Sequence, residues 1–248
     1  MIYLKPDPRN CIWFREQRVA FVYIPKTACT SWKLHLWRLS NGRKSHRCLT
    51  YAEVHNRKIV ELPYLDTMTL REQDEFYGGV NEKEIDIVCI LREPRSRILS
   101  AYIDKVKEHK NKNSLFTKQV IPSIKKTNNS EGAERPSFYE FLKWIDRSDN
   151  EFCDNEHWKP ATNILGLSNC MCNMNHPNLK IWSMTDNEKA VELFNVKFKK
   201  DFVFPTSQEL GKRKVYKSER LMEEYFGKRE EELFKRIYGD DISIYNAI

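Results

Sequence analysis

The stretch FVYIPKTACTSWKLHL, residues 21–36, joins a run of apolar residues directly to a segment with helical periodicity. The apolar run covers residues 19–24 and is unbroken, which predicts a parallel strand covered on both faces. Behind a proline turn, Trp32, Leu36 and Leu39 recur at helical spacing. The order of these segments predicts a strand, a tight turn and a helix.

The predicted turn carries groups that suit an anion. The first N–H groups of a helix that begins near Thr30 point back into the turn, and the helix dipole favours negative charge there. Lys26 adds a positive charge, and hydroxyl groups follow on Thr27, Thr30 and Ser31. An ordinary βα turn with Ser/Thr capping explains the same residues. The G-x-x-x-x-G-K-[ST] pattern is absent, which excludes a nucleotide-triphosphate P-loop.

A second stretch, IVCILREPRSRILSAY at 87–102, repeats this arrangement. Arg92 follows the apolar run 85–91 and is predicted to lie at the carboxyl end of a buried strand, where open parallel sheets bind ligands. Its planar guanidinium suits a phosphate, and Ser100 adds a hydroxyl. Surface arginines near a helix start are the alternative. Two such units at one sheet edge predict a ligand with two separated anionic groups.

The remaining patterns predict the fold class. Residues 179–184 form a third candidate strand, and residues 51–77 are predicted to form short helices and loops. Residues 107–136 are nearly devoid of periodicity and are predicted to form a mobile excursion or lid. Helical periodicity also marks the segments 137–147, 186–195 and 218–238, and the first of these is predicted to start at a serine cap. Strands that alternate with helices predict an α/β fold with a mainly parallel sheet flanked by helices, in one domain over 1–248.

Composition restricts the partners. The chain has 248 residues and a formal net charge of +7, which suits an anionic ligand or a mildly basic soluble protein. The lysines are scattered rather than arranged in a stripe with aromatic residues, so a nucleic-acid partner is not predicted. No apolar run approaches the ~18 residues of a membrane span. The polar N-terminal segment is unlike a signal peptide, and the chain as given is predicted to be cytoplasmic, without a membrane partner.

Four stretches resemble one protein family. PKTACTSWK at 25–33 resembles the 5′-phosphosulfate loop of sulfotransferases that use 3′-phosphoadenylyl sulfate (PAPS), and LREPRSRILSAY at 91–102 resembles their 3′-phosphate motif. The Ala-Cys-Thr-x-Trp-Lys form is closest to the Golgi carbohydrate sulfotransferases of the chondroitin and HNK-1 type. Two weaker similarities to the same family are EHWKP at 156–160 and RIYGDDISIYN at 236–246, which resembles the family's C-terminal Tyr-x-x-Asp ending.

The resemblance implies a P-loop-like sulfotransferase fold and transfer of a sulfuryl group from PAPS to a hydroxyl of a carbohydrate or other small acceptor. The product would be 3′,5′-diphosphoadenosine, and no metal is expected. Lys26 matches the loop lysine, and Arg92 with Ser100 matches the pair that holds the 3′-phosphate. The positions that match the family's residues around the 5′-phosphate are Thr27, Ala28, Cys29, Thr30 and Ser31. The resemblance also implies the Golgi lumen if an N-terminal anchor has been removed.

A hydroxyl that attacks sulfur needs a general base, and histidine has the most suitable ordinary pKa. The six histidines are His35, His46, His55, His109, His157 and His176. His157 is favoured because it lies in the family-like EHWKP segment, beside Trp158, which offers a sugar-stacking or core surface. Glu156 is an alternative base, and His55 and His109 remain open.

Three other hypotheses compete. A zinc site is one, with candidate ligands Cys153, His157, Cys170 and Cys172, although the C-x₃-H and C-x-C spacings are not those of a standard finger. A nucleotide kinase of related fold is the second, but its triphosphate loop is missing. A basic module that binds anionic polymers is the third. Cys89, inside an apolar strand, is predicted to be a core residue.

Overall fold

The structure is a computed structural model. It describes residues 4–42, 49–132, 134–147, 152, 154–167, 176–205 and 218–248. The described residues group into two units, one from 4–91 and 161–205 and the other from 92–160 and 218–247. The single domain over 1–248 stays a prediction. In the described part of the chain, no helix combines the length and apolarity that a membrane crossing requires.

The first unit is built on a four-stranded sheet with its strands in sequence order. The strands are β1 (Cys11–Phe14), β2 (Val19–Val22), β3 (Asp86–Leu91) and β4 (Leu179–Ser183). Strand β1 is antiparallel to β2, whereas β2, β3 and β4 are parallel. The predicted mainly parallel sheet is therefore confirmed, and the two predicted strands β2 and β3 lie side by side.

Two of the strands that could be predicted from the sequence have an almost completely buried apolar run. Every residue of β2 is buried, as is all of β3 except Asp86, so both read as continuous apolar runs. Cys89 is a buried core residue, as predicted. The sequence analysis missed β1, which has only four residues. The turn from β1 to β2 places Arg18 at φ 50° and lacks the Asn-Gly or Asp-Gly signal of a short hairpin.

Helices occupy most of the remaining described chain. They are α1 (Cys29–Asn41), α2 (Tyr51–His55), α3 (Arg57–Val60), α4 (Leu70–Asn81), α5 (Pro94–Tyr102), α6 (Ile121–Asn128), α7 (Phe138–Ile145), α8 (Ala161–Leu165), α9 (Asn187–Phe198), α10 (Ser218–Tyr225) and α11 (Lys228–Asn246). The predicted serine cap of α7 is confirmed. Ser137 Oγ accepts the Glu140 N–H at 3.2 Å, and the Glu140 carboxylate accepts the Ser137 N–H at 2.7 Å.

Aromatic packing attaches the helices of the first unit to its sheet. Trp32 of α1 stacks on Phe21 of β2 with ring centroids 4.7 Å apart. Phe194 of α9 meets the same Phe21 edge-on at 6.0 Å. Such pairs add about 0.5–1.5 kcal/mol to the stabilisation from area burial alone. The periodic tryptophan of the opening stretch therefore fixes α1 against the strand that precedes it.

The second unit has a helical core, and part of it comes from the predicted excursion at 107–136. Helix α6 lies inside this segment and buries Ile121 and Ile124. The sequence analysis did not predict α6 because lysine and asparagine residues outnumber its few apolar positions. Pro122 in its first turn fits a helix start. The mobility of the segment stays a prediction.

Gly166 provides a stability test of the first unit. Its φ is +71°, and a Cβ there would lie 2.2 Å from the backbone oxygen of Lys5. We expect Gly166→Ala to lower the free energy of unfolding by more than about 2 kcal/mol, because strain and a backbone clash act together. The matched control is Gly78→Ala on an exposed position of α4, where no atom lies within 4 Å. It should stabilise by about 0.5–1 kcal/mol. Urea unfolding of both variants measures this, and equal effects would contradict the structure.

Candidate functional site

The carboxyl ends of β2 and β3 lie at one edge of the sheet because these strands are parallel neighbours, with Val22 opposite Cys89. The turn at 23–28 follows β2 at this edge. Arg92 is the next residue in the chain after Leu91, the last residue of β3. Ligands of open α/β sheets bind outside the carboxyl ends of strands. The first predicted anion-binding turn therefore lies at the edge where the fold favours a ligand.

The backbone of this turn is tight and strained. The N–H and the Oγ1 of Thr27 both donate to the carbonyl oxygen of Ile24, at 3.3 and 2.6 Å. Lys26 has φ 72° and Ala28 has φ 57°, both in the left-handed region. Such conformations cost about 1–3 kcal/mol each for residues other than glycine and cluster at functional sites. Alternating backbone conformations of this kind turn successive N–H groups to one side, which suits an anion.

Helix α1 begins without a side-chain cap. Its N-cap residue is Ala28, which has no acceptor to offer, and no side-chain cap hydrogen bond forms. The first bond of the helix runs from the Trp32 N–H to the Ala28 carbonyl at 3.1 Å. The N–H groups of Cys29, Thr30 and Ser31 precede that bond. Together with the half-buried Lys26 they provide positive electrostatic potential at the start of the helix.

A histidine from α2 contacts this turn. His55 Nε2 lies 2.9 Å from Thr30 Oγ1, and the His55 ring packs on Tyr51 with centroids 4.8 Å apart. Helix α2 starts at a capping box formed by Thr50 and Glu53, which fixes its first turn. The sequence analysis left His55 open as a candidate general base and did not predict its contact with Thr30. No local pattern reveals this contact, because the two residues are 25 positions apart.

The helix after β3 starts differently. The carboxylate of Glu93 accepts the N–H groups of Arg95 at 3.1 Å and Ser96 at 2.6 Å. The start of α5 is thus already capped by a negative charge, unlike that of α1. Arg92 and Ser100 are half-buried. If this segment binds a phosphate, their side chains rather than the helix start must supply the contacts.

The two weaker family-like segments meet in the second unit. Buried Arg97 of α5 donates to the Lys159 carbonyl at 2.6 Å and lies 3.5 Å from the Asp241 carboxylate. Tyr238 Oη donates to the Trp158 carbonyl at 2.5 Å. Burial raises the pKa of Tyr238, so the phenol stays a donor. The Tyr-x-x-Asp ending therefore anchors the segment that follows His157.

His157 itself is half-buried, and its Nδ1 lies 3.0 Å from Asn155 Oδ1. Its ring packs edge-on against Phe116 at 5.6 Å. Trp158 is fully buried, and its indole N–H donates to the Phe152 carbonyl at 2.8 Å. Of the two surfaces proposed for Trp158, the core surface is confirmed. The sugar-stacking suggestion is wrong, because no face of this side chain is exposed.

The other histidines and cysteines lie elsewhere. His109 bonds to Ser114 within the 107–136 segment at 2.5 Å, and His176 precedes β4. Within the described ranges, no three His, Cys, Asp or Glu residues cluster in a way that would hold a metal. The described free cysteines are Cys11, Cys29 and Cys89. His46, Cys153, Cys170 and Cys172 lie outside the described residues.

The fold and this turn define an α/β protein with an uncapped helix start next to a lysine at the ligand-binding edge of its sheet. The profile described as "Sulfotransferase family" matches residues 9–246. This match covers most of the chain, and the chain belongs to the sulfotransferase family. The resemblance in its sequence motifs is thereby confirmed.

Three curated relatives share one name. Carbohydrate sulfotransferase 14 of Danio rerio is 28% identical over 152 residues, which cover 60% of this chain and 39% of the relative. The proteins of that name from Mus musculus and Homo sapiens are 26% and 25% identical over 157 residues, 63% of this chain and 39% of each relative. The chain thus spans about two fifths of the length of the relatives it matches. No solved structure matches it significantly.

His35, on α1, gives a prediction of pH dependence. Its ring is fully buried, neither nitrogen has a hydrogen-bond partner among the described residues, and burial lowers its pKa from 6.5 to about 4. Between these two values the unfolded chain binds the extra proton, so stability falls as pH falls, by about 1.4 kcal/mol per unit. His35→Leu removes this dependence.

We therefore expect the difference in the free energy of unfolding, His35→Leu minus wild type, to grow by about 2 kcal/mol between pH 8 and pH 5. Urea titrations of both proteins at each pH measure it. The pH 8 pair serves as the control for packing changes, because His35 is neutral there in both the folded and the unfolded state. A difference that stays constant would mean that His35 does not titrate as its burial requires.

Proposed function

We propose that this chain transfers a sulfuryl group from PAPS to a hydroxyl of a carbohydrate or other small hydroxylated acceptor. The observation that carries the proposal is the uncapped start of α1 beside Lys26, in a chain of the sulfotransferase family. The printed names of the relatives support a carbohydrate acceptor. PAPS as the donor follows from the resemblance of the two phosphate motifs.

The turn after β2 fits the 5′-phosphate of such a donor. PAPS supplies an activated sulfuryl group whose transfer leaves negative charge on the phosphate. The N–H groups at the start of α1 are held by the helix backbone, and preorganised donors of this kind stabilise developing charge most effectively. Lys26 adds positive charge from the same turn. The strained Lys26 and Ala28 backbone is consistent with a turn shaped for binding rather than for stability.

Arg92 and Ser100 are proposed to bind the 3′-phosphate. Arg92 is half-buried, so water would screen the attraction between its guanidinium and a phosphate less than at a surface arginine. The nearby arginines have other roles. Arg95 pairs with Glu231 through two bonds of 3.0 and 2.5 Å, and Arg97 belongs to the contact with Asp241. Arg92, which precedes α5, is the arginine proposed for the ligand because it matches the family's 3′-phosphate motif.

His157 is proposed as the general base, and its hydrogen bonds favour this role. The backbone N–H of His157 donates to Asn155 Oδ1 at 3.1 Å, which identifies that atom as the amide oxygen. The same oxygen lies 3.0 Å from Nδ1, which must therefore carry the proton. Nε2 is then the unprotonated nitrogen, as a base requires. Glu156 remains the alternative base.

A thermal-shift comparison separates this function from its rivals. Stabilisation by 3′,5′-diphosphoadenosine, well above that by ATP, supports the sulfotransferase, and preference for ATP supports a nucleotide kinase-like protein. A response to heparin alone supports a module that binds anionic polymers. Transfer of labelled sulfate from PAPS over a panel of glycans and small hydroxylated compounds then identifies the acceptor. No transfer to any acceptor and no binding of the diphosphate would contradict the proposal.

Lys26→Ala is expected to lower mainly the rate of transfer, and Arg92→Ala mainly the affinity for the nucleotide. Lys26 matters most when the phosphate gains charge, so its loss should lower kcat more than the affinity for 3′,5′-diphosphoadenosine. Loss of Arg92 should mainly weaken that affinity, by about 1.5–3 kcal/mol for a charged hydrogen bond. Calorimetry and initial rates measure both, with Lys143→Ala on the exposed face of α7 as the matched charge control. Wild-type values for both variants would refute the assigned roles.

His157→Ala is expected to abolish transfer while leaving 3′,5′-diphosphoadenosine affinity and folding intact. The control is His176→Ala, since His176 precedes β4 at the amino end of a parallel strand, away from the ligand-binding edge. Metal analysis of the purified proteins accompanies the assay. Unfolding with loss of one zinc would support the metal site instead. Near-normal transfer would remove His157 from the mechanism and make Glu156→Gln the next variant to measure.

A further inference from the structure

The contact between His55 and Thr30 restricts how the turn binds an anion. Thr30 is buried, at 2% exposure, and its Oγ1 lies 2.9 Å from His55 Nε2. Thr30 is also the second residue of α1, within the first turn, whose N–H groups precede the first helical bond. The hydroxyl of Thr30 therefore contacts the histidine and belongs to the turn of helix that is assigned to the phosphate.

The hydrogen bond between Thr30 and His55 can run in either of two directions. A threonine hydroxyl has one proton, and a neutral imidazole carries a proton on only one of its nitrogens. Either Thr30 donates to Nε2 or Nε2–H donates to Oγ1. A bound phosphate has only acceptor oxygens facing Thr30. Thr30 can then donate to the phosphate only if its oxygen accepts from Nε2–H.

We propose that His55 is a positioning residue that donates from Nε2–H to Thr30 Oγ1 and so directs the Thr30 proton towards the phosphate of the bound donor. This inference rests on the proposed function. His55 does not contact the sulfuryl group in this role, and it acts through the Thr30 hydroxyl. The tilted packing of its ring against Tyr51 holds the imidazole in place for this bond.

A merely structural role for His55 makes a different prediction. If the ring only supports α2 by packing on Tyr51, an aromatic side chain without a donor replaces it fully. If the donor matters, an amide that places an N–H near the position of Nε2 replaces it better than a ring does. His55→Phe keeps the ring and loses the donor, whereas His55→Gln keeps the donor and loses the ring. Because His55 is exposed, both variants should fold, and their melting temperatures verify this.

Affinity for 3′,5′-diphosphoadenosine, measured by calorimetry, tests the proposal. His55→Phe should weaken binding about five- to tenfold, as expected for one hydrogen bond, and His55→Gln should stay within about twofold of wild type. Thr30→Val, which removes the hydroxyl at constant shape, should weaken binding by a similar factor. In the Thr30→Val background, His55→Phe should have no further effect, because the histidine acts only through that hydroxyl.

A spectroscopic signature completes the test. Long-range proton–nitrogen correlation spectra of the ¹⁵N-labelled protein show which ring nitrogen of His55 carries the proton. We expect Nε2 to be protonated in the complex with 3′,5′-diphosphoadenosine. An unprotonated Nε2 in the complex, additive effects of the two substitutions, or full binding by His55→Phe would each overturn the positioning role while the proposed function stands. Failure of the wild type to bind the diphosphate would overturn both.

Discussion

The candidate site depends on the parallel pairing of β2 with β3. Two parallel neighbours must end at the same edge, so whatever follows each strand begins there. The turn at 23–28 follows β2, and the chain leaves β3 at the same edge after Leu91. An antiparallel pair would have ended at opposite edges. Every residue of β2 and residues 87–91 of β3 are buried, so both strands of this pair lie in the core of the first unit.

The two helix starts after these strands differ in electrostatics. Helix α5 is capped by its own carboxylate on Glu93, whereas α1 starts at an alanine in a left-handed conformation. A serine or aspartate at the Ala28 position would occupy the donors of α1 with a side-chain oxygen. The turn lacks that stabilisation, and the backbone at Lys26 and Ala28 is strained. Both features lower stability, and both suit a turn that binds an anion.

Most of the fold was predictable from periodicity, and the exceptions have physical causes. Apolar runs predict strands β2, β3 and β4, and helical spacing predicts helices α1, α5, α7, α9, α10 and α11. Most of helix α4 lies in a segment predicted to form only short helices and loops. Strand β1 is short and its hairpin lacks the usual turn residues, so tertiary pairing rather than local pattern creates it. The buried face of α6 consists of too few residues to stand out in a lysine-rich segment. In the site, residues of the turn follow from sequence spacing, whereas His55 comes from a contact between helices that no spacing encodes.

Some of the family-like motifs contain residues suited to a function, whereas others contain residues that stabilise the fold. Lys26 and Ala28 have left-handed backbone conformations, and α1 starts without a side-chain cap. Tyr238 and Asp241, by contrast, are buried: Tyr238 donates to the Trp158 carbonyl, and Asp241 pairs with Arg97. An aspartate paired with a buried arginine cannot be removed without leaving an uncompensated charge, so such a pair resists substitution for reasons of stability alone. The Tyr-x-x-Asp ending therefore argues for the fold of the second unit. The evidence for function rests on the turn after β2.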